Sequence, residues 1–242
     1  MHALAAEQRP QSALPATPGE PPATPPADAD LLALLDHYAP FTTPALVPEI
    51  QVFYGRSLIE IWEAAERLAG FVLPAPFWAY PWAGGLALAR VVLDQCGALR
   101  SQRVLDLGCG GGVVALAAAR AGATDVVAND LDAWALATTR LAAQRQGLHV
   151  ALLRADLTSE SIRTFNYDIV LCSDLAYERR VAPKQRAFLE RARQCGARVL
   201  LADAGRTYFQ PAGLRLLAEY NITVPKDLEG VESRTGRVYE LP

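Results

Sequence analysis

The chain is poor in the residues that build metal and disulfide sites. Its 242 residues include three histidines and four cysteines, and no two cysteines form a C-x-x-C pair. The pattern argues against a zinc site, and more strongly against a disulfide framework. Scattered cysteines in a chain of this length are typical of a reducing compartment. We therefore expect no metal centre and no structural disulfide.

The chain also lacks an excess of positive charge and a long apolar run. Its formal net charge is −3 at pH 7, so its composition does not indicate binding to nucleic acid or to a membrane surface. No apolar run reaches about 18 residues, and we expect no membrane span. Hydrophobic residues nevertheless make up 51% of the chain, which is enough for the core of a globular domain.

Residues 1–29 lack hydrophobic periodicity. Proline, alanine and threonine dominate this segment, which predicts a disordered tail. It has neither the basic start nor the apolar core of a secretory signal. Residues 1–30 hold one arginine against four acidic residues, which is not typical of a mitochondrial leader. We expect a cytoplasmic protein, with the mitochondrial matrix as the alternative.

Residues 30–98 are predicted to form a small N-terminal cap that includes the substrate entrance. A first helix is predicted with Asp30 as its N-cap, and a second with Ser57 and Glu60 at capping-box spacing and Gly70 at its end. An alternating stretch over 45–54 predicts a strand. Proline and aromatic residues then precede a third helix.

Residues 99–242 alternate between apolar strands and helices, with a helix predicted over 211–221 and a last strand over 236–241. This order predicts a doubly wound α/β domain whose mostly parallel sheet is covered on both faces. Ligands of such sheets bind at the carboxyl ends of the strands. Four of those ends carry a carboxylate: Asp106, Asp130, Asp156 and Asp174.

The segment DLGCGGG, with Asp106, Gly108, Gly110 and Gly112, joins a strand to a helix as nucleotide-binding loops do. The dinucleotide fingerprint G-x-G-x-x-G fits poorly, because Gly112 comes one position early. A carboxylate at Asp106 would repel a pyrophosphate and attract a cation, by roughly 4 kcal/mol for unit charges about 4 Å apart. S-adenosylmethionine carries a sulfonium, an ammonium and no phosphate, and it is the predicted cofactor.

The same segment resembles the first motif of class I, seven-strand methyltransferases. The resemblance implies that Asp130, with Leu131, holds the ribose hydroxyls of the cofactor, and that Asp156, with Leu157, faces the adenine. The alternatives are that Asp130 caps the following helix and that Asp156 caps a turn. A glycine loop without a ligand is also conceivable, although four glycines cost more backbone entropy than a tight turn needs.

The segment SDLAYE, with Asp174 and Tyr177, is similar to the D-x-x-Y motif of a branch of protein-lysine methyltransferases. APFWAYPWAGGLALAR and LADAGRTYF resemble segments of the electron transfer flavoprotein β-subunit lysine methyltransferase family and its bacterial relatives. Two positions depart from that family: Ser173 replaces a glycine and Ala204 replaces a proline. The resemblance implies methyl transfer to lysine side chains of that flavoprotein subunit or of a ribosomal protein.

Asp174 and Tyr177 are the predicted catalytic pair, and Trp82 is expected to line the cofactor pocket. Lysine has a pKa of about 10.4, so removing its proton near neutral pH costs roughly 4 kcal/mol. We expect Asp174 to attract and orient the incoming ammonium and Tyr177 to hold it over the methyl group. No histidine is placed to act as a base, so the proton is expected to pass to water.

Three interpretations remain open on the sequence alone. Asp174 and Tyr177 could serve only to end a strand and to pack against a helix. The same scaffold could methylate a nitrogen or oxygen of a small molecule, or could bind a cofactor or a partner without catalysis. The partner we expect is a protein that presents lysine, without nucleic acid or membrane, and the chain is expected to be a monomer.

Overall fold

The computed structural model describes residues 24–95, 98–159 and 166–242. Most of the predicted tail (1–29) lies outside these ranges, so its disorder stays a prediction. The elements of the N-terminal part are α1 (Asp28–Tyr38), β1 (Phe41–Thr42), β2 (Val52–Phe53), α2 (Leu58–Ala69), a 3₁₀ turn (Phe77–Ala79) and α3 (Ala83–Asp94).

Strands and helices alternate in the remainder of the chain. In order they are β3 (Arg103–Leu107), α4 (Val113–Arg120), β4 (Asp125–Asp130), α5 (Ala133–Arg145), β5 (Ala151–Arg154), β6 (Ile169–Ser173), α6 (Val181–Gln194), β7 (Arg198–Asp203), β8 (Arg215–Thr223), α7 (Lys226–Glu229) and β9 (Ser233–Leu241). Seven strands form one sheet in the order β5-β4-β3-β6-β7-β9-β8. Neighbours from β5 to β7 are parallel, and β9 is antiparallel to both β7 and β8. The predicted α/β class with a mostly parallel, seven-stranded sheet is confirmed.

Side chains alternate along the central strands between two hydrophobic clusters. On β3, Val104 packs in the cluster that holds α3, α4 and α5, whereas Leu105 packs in the cluster that holds α6. On β6, Leu171 belongs to the first cluster and Val170 to the second. Both faces of the sheet are therefore covered, which leaves the carboxyl ends of the strands as the place for a ligand.

Helix α2 begins and ends as its sequence predicts. The Ser57 side chain accepts a hydrogen bond from the Glu60 backbone N–H, and Gly70 ends the helix in the left-handed conformation with φ +77°. Helix α1 begins earlier than predicted, with Ala27 rather than Asp30 as its N-cap. Asp28 and Asp30 lie in its first turn, where negative charge is favourable without a capping bond.

Two predicted elements were wrong in extent or type. Within 45–54, only Val52 and Phe53 form a strand, which pairs with β1. The helix predicted over 211–221 is instead β8, an antiparallel partner of β9. The side chains that pack on the cluster of α3, α4 and α5 include Ala218, Tyr220 and Ile222, which lie at alternate positions. A period of two therefore fits the buried face of this segment better than a helical period does.

Helix α3 falls in the segment predicted as a cap, but it packs against α4 and lies across β7 and β9. The aromatic segment that precedes it is therefore held against the sheet. Within the described ranges, no helix is both long enough and apolar enough to cross a membrane.

Candidate cofactor and substrate site

A cavity of about 440 Å³ opens at the carboxyl ends of β3, β4 and β6. This volume lies in the range of small-molecule binding sites. Its wall combines the glycine loop, the aromatic segment before α3, the residues after β6 and a group of charged side chains. The residues used below are Phe77, Trp78, Trp82, Gly85, Gly108, Gly110, Gly111, Asp130, Asp132, Asp174, Tyr177, Arg206, Glu229 and Arg234.

The glycine loop exposes its backbone to the cavity. Gly108 and Gly110 line the wall with φ values of +69° and +52°, while Gly112 forms the N-cap of α4 with φ +85° and lies outside the wall. Gly111 allows the closest approach, because a β-carbon there would lie 2.4 Å from the carbonyl oxygen of Trp78. The loop therefore packs against the backbone of the aromatic segment.

Asp106 lies beneath the loop and not in the cavity wall. It is 1% exposed, and its Oδ2 accepts a hydrogen bond from the Ala115 N–H in the first turn of α4 at 2.9 Å. Burial raises the pKa of Asp106 to about 7. The structure thus places Asp106 as a support for the loop and α4, whereas the sequence led us to expect a carboxylate facing the ligand.

Asp130 reaches the cavity from the end of β4. Its Oδ2 accepts a hydrogen bond from the Gly110 N–H at 2.9 Å, and its Oδ1 accepts one from the Asp132 N–H at 3.0 Å. Burial raises its pKa, although these backbone bonds oppose the shift. The Leu131 N–H lowers the pKa as well, and a carboxylate with about four acceptor sites still has room for a further donor. The helix that follows is capped by Asp132 and not by Asp130.

The three other residues expected near the cofactor lie away from the cavity wall. Leu131 is 54% exposed. Asp156 is exposed, and its Oδ1 accepts hydrogen bonds from the Thr158 N–H at 3.0 Å and the Thr158 hydroxyl at 2.6 Å. The Asp156 side chain therefore caps the turn in which it lies, as the alternative interpretation of this residue has it. Leu157 is buried in the cluster that holds α6.

The aromatic segment forms another part of the cavity wall, next to the glycine loop. Trp82 lines the wall as predicted, and its Nε1 donates a hydrogen bond to the Phe77 carbonyl at 2.9 Å. Phe77 meets both Trp82 and Tyr177 edge to face, with ring centroids 5.7 and 5.9 Å apart. Trp78 stacks on Trp134 of α5. The three rings Phe77, Trp82 and Tyr177 thus border one side of the opening.

Asp174 directly follows β6 and is 8% exposed, with a left-handed backbone at φ +52°. Its Oδ2 accepts a hydrogen bond from the Gly85 N–H at 3.1 Å, and its Oδ1 accepts bonds from the Ala204 N–H at 3.3 Å and Arg206 Nε at 3.1 Å. Only glycine fits at position 84, since a β-carbon there would lie 2.5 Å from Asp174 Oδ2. Burial raises the pKa of Asp174, and Arg206 opposes that shift.

Tyr177 stands at the mouth of the cavity, where its ring is exposed. Desolvation of its hydroxyl and nearby acidic groups raise its pKa to about 12, so the phenol keeps its proton at neutral pH. The predicted pair, Asp174 and Tyr177, therefore lies in one wall, with the carboxylate inside and the ring at the opening.

Four charged wall residues were missed from the sequence: Asp132, Arg206, Glu229 and Arg234. Arg206 belongs to LADAGRTYF, which the family resemblance had already singled out. Glu229 ends α7 and Arg234 lies on β9, and neither has a local motif. Within the described part of the chain, no cluster of three or more histidine, cysteine or acidic residues could hold a metal.

Comparison with known proteins identifies the family of this chain. Residues 104–198 match the family model of a methyltransferase domain. The electron transfer flavoprotein β-subunit lysine methyltransferase of Danio rerio is 32% identical over 75% of this chain and 70% of its own length. The same enzyme of Rattus norvegicus is 30% identical over 81% of this chain and 78% of its own length.

Among solved structures, PH1948 from Pyrococcus horikoshii, a candidate RNA methyltransferase, matches with a TM-score of 0.50 and 18% identity. The match covers 67% of this chain and 86% of that one, and it supports the fold alone. The relatives establish that the chain is an enzyme whose cofactor is S-adenosylmethionine. It belongs to the electron transfer flavoprotein β-subunit lysine methyltransferase family.

Proposed function

We propose that this chain methylates lysine side chains on the β-subunit of an electron transfer flavoprotein, with a ribosomal protein as the competing substrate. The observation that carries the proposal is the position of Asp174. Its buried carboxylate lies in the wall of a cavity whose mouth is bordered by exposed aromatic rings, Phe77 and Tyr177. A long cationic side chain of a protein fits such an entrance, since its charged end meets the carboxylate.

The residues of the glycine loop and of β4 fit S-adenosylmethionine. The backbone of Gly108 and Gly110 faces the cavity without side chains, and the Asp130 carboxylate has room for a ribose hydroxyl beside its backbone donors. Trp82 lines the cavity beside these residues. When bound, S-adenosylmethionine supplies an electrophilic methyl group on a sulfonium and leaves as the neutral thioether S-adenosylhomocysteine.

The residues of the chain have to bring an amine to that methyl group and remove its proton. Deprotonation of lysine near neutral pH costs roughly 4 kcal/mol. Phe77 and Tyr177 guide the side chain inward, and Asp174 attracts the ammonium on entry and then accepts a hydrogen bond from the nitrogen. No histidine of the described residues lines the cavity, so we propose that water accepts the proton before the nitrogen takes the methyl group.

The test is transfer of a labelled methyl group to purified flavoprotein β-subunit and, in parallel, to ribosomal proteins. Mass spectrometry locates the modified residue, and replacing that lysine by arginine must abolish the label. Label on a small molecule, or on no acceptor at all, would contradict the proposal. The first result would favour a small-molecule N- or O-methyltransferase, and the second a domain that only binds.

Asp174→Asn tests the role of the carboxylate in the same assay. We expect single-turnover methylation to fall by roughly a hundredfold, about 3 kcal/mol, with cofactor affinity kept within a few-fold. Asp125→Asn is the matched control, because Asp125 is exposed at the opposite end of β4. A wild-type rate in Asp174→Asn would refute the lysine-orienting role, whereas loss of cofactor binding would move Asp174 to the cofactor pocket.

A further inference from the structure

Four charges form a continuous network in the cavity wall. Arg206 donates from Nε to Asp174 at 3.1 Å and from both terminal nitrogens to Glu229 at 3.3 Å. Arg234 donates from Nε to the Glu229 carboxylate at 3.2 Å and from a terminal nitrogen to its backbone carbonyl at 2.9 Å. The Arg206 guanidinium also lies over the Trp82 ring, 4.8 Å from its centroid. The network thus links the segments after β6 and β7 to α7 and β9.

The network is buried where a ligand must enter. The side chains of Asp174, Arg206 and Glu229 are 6, 16 and 3% exposed. The free energy of desolvating buried ion pairs often exceeds the gain from their mutual attraction, so such a network adds little to the stability of the fold. All four members line the cavity. Their common location points to a role in the reaction.

The charge balance of the network bears on the nucleophile. Asp174 alone would stabilise an ammonium beside it, and an ammonium has no lone pair with which to attack. Arg206 cancels that charge, and Glu229 with Arg234 forms a second neutral pair behind it. On the basis of the proposed lysine methylation, we propose that Arg206 balances the charge of Asp174, so that the lysine nitrogen is bound as the neutral amine.

Other titratable groups lie near Asp174 and Arg206, and the variants of the test leave these groups in place. Asp203, at the end of β7, accepts hydrogen bonds from the backbone N–H groups of Gly205 and Arg206, and burial raises its pKa to about 6. The remaining groups that face the network or the cavity are Tyr54, Tyr80, Cys109, Asp130, Asp132, Tyr177 and Glu178.

The experiment follows the single-turnover rate constant against pH, with cofactor and a lysine-bearing protein substrate at saturation. The rising limb of this pH–rate profile reports loss of the proton shared by the amine and Asp174. In Arg206→Met the site gains a net negative charge, and the limb moves to higher pH by about 1 to 3 units. The loss of rate is therefore large at pH 7 and shrinks at pH 10.

Two further variants separate charge from shape. Arg206→Lys keeps the charge but loses the planar fork, so its rate falls while its limb stays close to that of the wild type. Glu229→Gln removes a negative charge at nearly constant volume, so its limb moves to lower pH. Arg237→Met is the control, because Arg237 pairs with Glu219 on the exposed edge of the sheet.

The proposed role of Arg206 would be overturned if the pH–rate profile of Arg206→Met ran parallel to that of the wild type. A purely structural defect lowers the rate by the same factor at every pH. The proposed role would also be overturned if Glu229→Gln shifted the limb in the same direction as Arg206→Met. If Arg206→Met fails to fold, Glu229→Gln decides alone, and an unchanged limb refutes the proposal. A wild type that methylates lysine while the variants show parallel profiles refutes only the role of Arg206. A wild type that never methylates lysine refutes the proposed function and the role of Arg206 together.

Discussion

Gly111→Ala is the sharpest test of the packing between the glycine loop and the aromatic segment. A β-carbon at this position would lie 2.4 Å from the Trp78 carbonyl oxygen, about 1 Å inside normal contact. Rotation of a side chain cannot relieve this overlap, because the β-carbon is fixed to the loop backbone and the oxygen belongs to the backbone of Trp78. The loop and the segment that carries Trp78 and Trp82 must therefore move apart.

The expected magnitudes follow from that displacement. Overpacking of this kind costs about 1–3 kcal/mol in free energy of unfolding. A shift of about 1 Å at the cavity wall should also weaken cofactor binding at least tenfold, or about 1.4 kcal/mol. Calorimetric titration with S-adenosylhomocysteine measures the affinity, and urea unfolding measures the stability.

Gly147→Ala is the control for a loss of stability away from the cavity. Gly147 has φ +62° and no other atom within 4 Å of the position of a β-carbon, so alanine there meets only the left-handed penalty of about 1–2 kcal/mol. Its cofactor affinity should equal that of the wild type. If Gly111→Ala also binds the cofactor with wild-type affinity, the loop does not pack on the Trp78 backbone in the binding form, and the reasoning fails.

The remaining predictions concern three wall or loop residues. Asp130→Asn leaves one oxygen to serve two backbone donors, Gly110 and Asp132, so cofactor affinity measured by calorimetry should fall at least tenfold; unchanged affinity would exclude its role. Tyr177→Phe keeps the ring against Phe77 and should methylate within a few-fold of the wild-type rate, whereas Tyr177→Ala should lose more; equal rates would show that the ring does not position lysine. Burial raises the pKa of Asp106 from 3.8 to about 7, so its contribution to stability is present below about pH 4 and is lost as pH rises to 7. The ligand-free wild type should therefore lose about 3 kcal/mol more than Asp106→Asn between pH 5 and 8 in urea unfolding, and parallel curves would refute this.

Short local motifs predicted the parts of the site that lie directly at strand ends. The glycine loop, Asp130 and Asp174 each end a buried strand, and parallel strands bring such ends to one edge. Asp156 also follows a strand, yet its own turn offers nearer donors in Thr158. A strand end therefore predicts location better than it predicts the partner of a side chain.

The contacts of Glu229 with Arg206 and Arg234 could not be predicted, because they join distant segments of the chain. Glu229 meets Arg206 only after β8 and β9 have paired, and the apolar residues of β8 also fit a helix when read alone. Asp106 was predicted to face the ligand because its charge was considered without the backbone donor at Ala115, which lies nine residues away. Long-range pairing and competing local donors account for both errors.

The left-handed backbone of Asp174 has an evolutionary consequence. At φ +52°, asparagine and glycine are the replacements that the backbone accepts most readily, and each is one base change from an aspartate codon. Mutational drift at this position can therefore remove the carboxylate without straining the backbone. Under the proposed role of Asp174, a gene duplicate that has lost methyl transfer but kept cofactor binding is one nucleotide away, and asparagine or glycine at this position would be its signature.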